Sequence, residues 1–500
     1  MGVPVLSATM SAPSLEWGDL APLLVLLGGA CALLLLGTLV RGWTRVAGTT
    51  TTVVVALVAA GWSVAVWERD STVLGKYVVN DAILIDRLSV LAAILVCLAT
   101  AAAAVLVHPH LSATGADGTE HGALLLTSAI GAIVLAGAND LIVLFLGLEI
   151  LSLSLYVLAA SNRTKEQSQE AGLKYFILGG FASAFLLYGI ALVYGATGST
   201  SLEVIDVGLA AQALVVGSDT MLLVGIGLML VGLAFKVSAV PFHSWTPDVY
   251  QGSPSPVTAF MASAGKVAAF AALARIVSTA FERRVDDWRP AVWALAIAST
   301  VVGSVMAVSQ TNVKRMLAYS SVSHAGFILV GVEASGQRGV DGLASTATYL
   351  VAYSVMAVGS FAAVMLVAGT ADDETSLGAF KGLARRRPSL ALAFTVLLLA
   401  QAGVPFTSGF VAKFGVIRSA VQAESWALAI VAMVAAVVAA FVYLRIIVSM
   451  WLEEPDDDSR PSLAVGPAVV VAVAVTFTLV VGVLPGWLLN ATESVARALG

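Results

Sequence analysis

The feature that most constrains this chain is the recurrence of apolar runs about twenty residues long. A helix of that length spans the roughly 30 Å hydrocarbon core of a bilayer. Such runs lie at about 20–40, 46–67, 87–107, 121–138, 140–160, 172–194, 219–238, 256–280, 290–309, 314–333, 339–369, 388–421, 424–452 and 463–489. Composition agrees: 59% of the 500 residues are hydrophobic and only 11% are charged, against about a quarter charged in soluble domains. The expected fold is an all-α polytopic membrane protein with about fourteen transmembrane helices.

One stretch joins two of these runs and departs from both. From Phe235 to Lys266 it reads F-K-V-S-A-V-P-F-H-S-W-T-P-D-V-Y-Q-G-S-P-S-P-V-T-A-F-M-A-S-A-G-K. Lys236 closes an apolar helix, and Pro241 then breaks it, because proline lacks an amide donor and its ring clashes with the preceding turn. A polar, re-entrant passage with His243, Trp245, Asp248 and Tyr250 follows. Pro254 and Pro256 open the next helix, which carries Lys266 about ten residues in, roughly 15 Å along its axis. Run 388–421 repeats the theme: Gly403, Pro405 and Gly409 interrupt it before Lys413, and V-P-F recurs at Val240–Phe242 and Val404–Phe406. Matched broken helices in two halves of a chain point to inverted repeats with a site at the breaks. The halves are expected at 121–280 and 290–452, flanked by 1–110 and by a last span at 463–489.

An ionisable side chain at bilayer depth costs about 2.5–3.5 kcal/mol even on insertion scales, so it marks a pathway or a pair. Glu149 stands mid-span in L-F-L-G-L-E-I-L-S-L-S-L-Y, and Lys236, Lys266 and Lys413 stand beside the breaks. The plainer readings are a neutral buried acid for Glu149 and a snorkelling amine for Lys413. Arg275, Arg418 and Arg445 lie nearer span ends and read as snorkelling. His324, in L-A-Y-S-S-V-S-H-A-G-F, suits a proton relay or equally a satisfied polar group. Lys174, an i,i+4 partner for Glu170, is a lesser candidate. His243 and Asp248 serve as readily to hold the break as to move protons. Acids and amines in a row have the character of a proton relay. Moving or protonating a carboxylate beside a buried ammonium would load or unload that ammonium.

Other chemistries lack ligands. Cys31 and Cys97 lie in separate runs, whereas an iron–sulfur cluster takes about four cysteines. There is no haem-attachment, dinucleotide-binding or Walker A motif, and the net charge of -5 gives no footprint for nucleic acid. No redox cofactor or metal site is expected in this chain. Residues 1–19 read as a polar leader without a cleavage signal, so the first helix is expected to be retained. Arg41, Arg45, Arg163, Lys165, Lys314, Arg315, Lys381 and Arg385–Arg387 share one side, while the loop from Gly195 to Asp219 has no base. The positive-inside rule then puts both termini outside, although Arg283, Arg284 and Arg289 fall there too.

Three stretches carry a resemblance: H-S-W-T-P-D-V-Y-Q-G-S-P-S-P-V-T-A-F-M, E-A-G-L-K-Y-F-I-L-G-G-F-A-S-A-F-L-L-Y-G and N-V-K-R-M-L-A-Y-S-S-V-S-H-A-G-F. From about residue 80 onward the chain resembles the subunit N family of bacterial proton-pumping NADH-quinone oxidoreductase, complex I. The sibling antiporter-like subunits L and M tend to read W-L-P-x-A-H where this chain reads W-T-P-D-V-Y. The resemblance implies fourteen helices, inverted repeats, broken seventh and twelfth helices, and a central polar axis. On it, Glu149 matches the glutamate of helix five, Lys236 the lysine of broken helix seven, Lys266 that of helix eight and Lys413 that of helix twelve. It also implies a respiratory membrane complex in a bacterial inner membrane. NAD, FMN, iron–sulfur clusters and quinone would sit in partner subunits, with subunit M, small subunits such as K and J, and lipids as neighbours. The alternatives are a subunit of a multi-subunit cation/proton antiporter and a structural spacer that moves no protons.

Overall fold

The computed structural model describes residues 16–499 except 41–43, 70–74, 116–117, 212–218, 338, 373 and 456–463. Most of the leader, Arg41 and part of the loop before Asp219 lie outside the described residues. Two helices, α1 (Trp17–Leu39) and α2 (Arg45–Arg69), precede a small hairpin of β1 (Lys76–Val78) and β2 (Ile83–Ile85). The antiparallel register pairs Lys76 with Ile85 and Val78 with Ile83. Next come α3 (Arg87–Thr114), α4 (Thr119–Gly137), α5 (Leu141–Ala159), α6 (Glu166–Thr197), a short surface helix α7 (Leu202–Ala210) and α8 (Asp219–Val237). After the first break run α9 (Trp245–Gly252), α10 (Ser255–Phe260) and α11 (Lys266–Arg275), then α12 (Val285–Val308), α13 (Val313–Ser335) and α14 (Gly339–Ala368). A one-turn α15 (Leu383–Arg386) leads into α16 (Pro388–Ala402), α17 (Ser408–Gln422), α18 (Trp426–Leu452), α19 (Val465–Val483) and α20 (Gly486–Arg497).

Thirteen helices among the described residues are long and apolar enough to cross a bilayer. The interrupted pair α16–α17 adds a crossing in two pieces, so the fold is the expected all-α bundle with two broken helices. Its centre is the span Ser255–Ala280 together with α13, whose apolar windows are wholly buried. Helices around them leave many large apolar side chains exposed, as on α1 and α18. Those faces suit lipid or neighbouring subunits.

The structure departs from the sequence reading in four places. The span around Lys266 is no uniform α-helix: π-turns at Met261–Gly265 and Ile276–Ala280 bracket α11. The apolar run 463–489 ends as a helix at Val483, because Pro485 cannot continue it, and α20 turns away as an amphipathic helix. Arg275 does not snorkel. It is buried and forks onto Asp86, with Nη1–Oδ2 and Nη2–Oδ1 both at 2.8 Å, while its Nε donates to Ala136 O at 3.2 Å. Arg445, half-buried, donates to the carbonyls of Val308 at 2.7 Å and Gln310 at 2.9 Å, groups left free where α12 ends. Arg418 is exposed, as expected of a snorkelling residue.

Candidate functional site

A broken helix leaves carbonyls without intrahelical partners, and at bilayer depth something must satisfy them. At the first break, Ser238 takes a left-handed φ of 65°. Ala239 N then donates back to Ala234 O at 2.8 Å. The Trp245 indole, folded back from α9, donates to Phe235 O at 3.0 Å, and Val240 N donates to Ser299 Oγ on α12 at 2.9 Å. At the second break Gly403 adopts φ 91°, which side-chain-bearing residues resist. Here the cap is charged: Lys413 Nζ donates to Ala402 O at 3.0 Å. Gly409 lets α17 come back against α16, since a Cβ there would collide with Ala400 O.

Lys236, on the last turn of α8, is buried. Its ammonium donates to Ser152 Oγ at 2.8 Å and to Tyr175 OH at 3.2 Å, and lies 5.4 Å from the Tyr175 ring. Glu149, one turn before Ser152 on α5, is half-buried, and its Oε1 is buried without a protein partner. No ion pair joins Glu149 to Lys236; the ammonium is taken by the Ser152 hydroxyl and the Tyr175 phenol instead. Tyr175 in turn stacks on Trp245 at 4.5 Å, so the aromatic that caps the break also backs the lysine's partner.

Lys266 opens α11 directly after a π-turn, a local rewinding that is frequent at functional positions. Its ammonium donates to Ser321 O at 2.5 Å and lies 5.5 Å from the Tyr353 ring. Tyr353 OH donates to Ser321 Oγ at 2.7 Å. Three residues along α13, His324 is buried between two phenols: Nδ1 is 2.7 Å from Tyr349 OH and Nε2 is 3.2 Å from Tyr443 OH. Tyr443 meets Ser320 Oγ at 2.5 Å, and Ser320 reaches Gln401 Oε1 at 3.3 Å. Gln401 donates to Ser360 Oγ at 2.6 Å and is the neighbour of Ala402, whose carbonyl holds Lys413. Lys413 is 5% exposed, which rules out snorkelling, and its ammonium lies 4.9 Å from the Phe327 ring.

The structure therefore gathers Lys266, His324 and Lys413 into one polar seam across the centre of the bundle, with Lys236 at the neighbouring break. Among the described residues none of these three lysines has a carboxylate ion-pair partner. Each ammonium is held by neutral oxygen and aromatic faces, which accept its proton-bearing form without fixing it as a salt bridge. Lys174 stands apart in a surface cluster, paired with Glu170 at 2.7 Å and Asp248 at 2.8 Å, and Asp248 also takes Arg315 at 2.6 Å. Asp248 thus ties α9 to α6 and α13. His243 is half-buried, its ring 6.4 Å from Tyr319.

Sequence reasoning missed Ser152, Tyr175, Tyr349, Tyr353, Tyr443 and Gln401. They are neutral and common in membrane helices, so nothing in a one-dimensional reading separates them from packing residues. It also missed a cluster at one face of the bundle. There Lys314, 1% exposed, donates to Ser253 O at 2.6 Å and pairs with Asp372 at 3.3 Å. Asp372 accepts from Ser255 N and Oγ, both at 2.6 Å. A polar cavity of about 530 Å³ opens beside them.

The family model for the NADH:quinone oxidoreductase/Mrp antiporter transmembrane region matches residues 138–439. The NADH-quinone oxidoreductase subunit N of Mycobacterium tuberculosis is 47% identical over 392 residues, covering 77% of this chain and 72% of that one. The subunit N of Saccharopolyspora erythraea is 41% identical over 515 residues, covering 96% and 97%. A chain of the respiratory complex I structure from Thermus thermophilus superposes with a TM-score of 0.79 at 34% identity, covering 95% of this chain and 99% of that chain. With its two broken helices and its buried lysines, the chain belongs to the NADH-quinone oxidoreductase subunit N family.

Proposed function

We propose that this chain is a proton-translocating membrane-arm subunit of a complex I, working through Glu149, Lys236, Lys266, His324 and Lys413. The observation that carries the reading is the set of three buried lysines, each beside a helix interruption, none locked in an ion pair. Such an ammonium can gain or lose its proton as a nearby charge changes, which a salt-bridged one resists. Glu149 sets the state of Lys236. Protons then pass by Lys266 and His324 to Lys413, while Pro241 and Pro405 keep the helices open where these groups need backbone partners. Lys174 orients the entrance through Asp248.

The oxidation of NADH and the reduction of quinone belong to partner subunits that hold NAD, FMN and iron–sulfur clusters. Subunit M and small subunits such as K and J, with lipids, would cover the exposed apolar faces. The chain would sit in a bacterial inner membrane with both termini outside. Residues 121–280 and 290–452 would form the two antiporter-like repeats, with 1–110 and 463–489 as flanking helices.

The test is Lys236→Met and Lys413→Met in the assembled complex, in sealed vesicles with subunit content verified. Methionine keeps much of the apolar stem and removes the charge. Pumping falls in both variants if the reading holds; wild-type pumping in both would leave a structural spacer. A cation/proton antiporter remains the second reading, since the matched family region spans both kinds of protein. Co-purification of flavin and iron–sulfur subunits decides against it.

A further inference from the structure

Helix α13 runs between two cavities, the first polar and the second of mixed lining. Its first turn brings Lys314 to the cavity of about 530 Å³. Its last turn brings Glu333 to a second, of about 610 Å³, also lined by Asp286, Arg289, Gln337, Ser425 and Trp426. Between the two ends the same helix carries Ser320, Ser321 and His324, the groups that hold Lys266 and Tyr443.

Glu333 is 1% exposed. Its Oε1 accepts from Arg289 Nη2 at 2.8 Å and from Ser425 Oγ at 2.7 Å, while Oε2 is buried without a protein partner. Arg289 is held independently, donating to Ser425 Oγ at 3.1 Å, Glu333 O at 3.3 Å and Ala423 O at 3.4 Å. A carboxylate that fixes an arginine frequently uses both oxygens in a fork, as Asp86 does with Arg275. Here one oxygen is fixed and the other is left for a proton. His324 lies nine residues earlier on the helix, roughly 13.5 Å. Hydroxyls also stand between these helices: Ser419 on α17 meets Ser345 Oγ at 2.8 Å, and Thr346 Oγ1 lies against Gly331, two residues before Glu333.

We propose that Glu333 is the proton-release carboxylate of this subunit, positioned by Arg289 and opening to the 610 Å³ cavity. This rests on the proton-translocation reading above. Oε2 takes a proton released by the Lys413 ammonium, giving a neutral acid and a neutral amine. The acid then gives that proton to solvent in the cavity and returns to a carboxylate, and the amine is reprotonated from the Lys266–His324 side. No electrons move.

The experiment measures protons pumped per NADH oxidised by the assembled complex in sealed vesicles, for Glu333→Gln, Glu333→Asp and Lys413→Met, with subunit content verified. Glutamine keeps the shape and the acceptor for Arg289 but carries no proton. Aspartate keeps the acid but shortens the reach. Pumping should fall several-fold in Glu333→Gln and recover largely in Glu333→Asp. The opposite order, glutamine near wild type and aspartate impaired, would show that Glu333 only holds Arg289. Wild-type pumping in Glu333→Gln beside a failing Lys413→Met overturns this inference alone; wild-type pumping in both overturns the reading beneath it. If Glu333→Gln does not assemble, Glu333→Cys is treated from the outer face with impermeant thiol reagents. Recovery with a carboxylate-bearing reagent and not with a neutral one supports the role; equal response, or no labelling from that face, overturns it.

Discussion

Ser152, and not Glu149, receives the Lys236 ammonium: Nζ to Oγ is 2.8 Å, and the hydroxyl sits one helical turn beyond the carboxylate on α5. The Ser152 hydroxyl itself donates to Leu148 O at 2.5 Å, so its lone pair faces the lysine. If Glu149 tunes Lys236, as proposed above, it does so without an ion pair. Its influence can change without a salt bridge having to break, and breaking a buried pair costs roughly 3–5 kcal/mol.

For this pair, Glu149→Gln and Lys236→Met should each lower pumping, and the double variant should lose less than the two single losses summed, because interacting groups are non-additive. Glu149→Asp keeps the charge and should be milder than Glu149→Gln. Ser152→Ala removes the hydroxyl that accepts from Lys236 and should impair pumping with Glu149 present, yet add little in the Glu149→Gln background. Fully additive losses in sealed vesicles would mean that the residues act independently.

Topology offers a second check. Arg385 is exposed in the basic turn before α16, and Glu203 is exposed on α7, within the loop without bases. A cysteine at Arg385 should react with an impermeant reagent only from the cytoplasm, and one at Glu203 only from outside, by the positive-inside rule. Reversed labelling would invert the orientation and with it the direction of the Glu333 exit.

The Arg275–Asp86 pair is a stability prediction. Both side chains are buried, and the fork joins the end of α11 to the start of α3, where Asp86 also caps the helix through Ser89 N at 2.8 Å. Arg275→Met or Asp86→Asn alone leaves a buried charge uncompensated and should cost about 3–5 kcal/mol. The double variant should lose less than the sum of the singles. Membrane content of the subunit and the melting temperature of the complex read this directly.

A fourth prediction concerns acid. Burial by itself would push the Asp372 carboxyl up, but the Lys314 ammonium, the Ser255 hydroxyl and amide, and His110 outweigh it and hold the group below the usual carboxylate range. A depressed carboxyl contributes stability that is fully present above its unfolded value, about 3.9, and is lost as pH falls through the lower folded value. Asp372→Asn should therefore lower the melting temperature at neutral pH, with the difference from wild type closing only in strong acid. An equal difference at all pH values would contradict this.

What the sequence determined by itself was whatever depends on neighbours along the chain. Twenty-residue apolar runs, prolines that interrupt them, and lone charges inside them are local patterns, and a bilayer turns them into spans, breaks and pathway candidates with little room for alternatives. Glu149, Lys236, Lys266 and Lys413 were legible for that reason. The tertiary structure alone decided partners. Arg275 looked like a snorkelling residue because its place near a span end carries no mark of Asp86, which packing brings to it from 189 residues away. Tyr349 and Tyr443 flank His324 because α14 and α18 meet α13 there. Glu333, near a helix end and beside apolar neighbours, gave no local sign that one of its oxygens would be buried and unshared. In a bilayer the hydrophobic pattern sets which segments are helices; which polar groups face one another follows from how those helices pack.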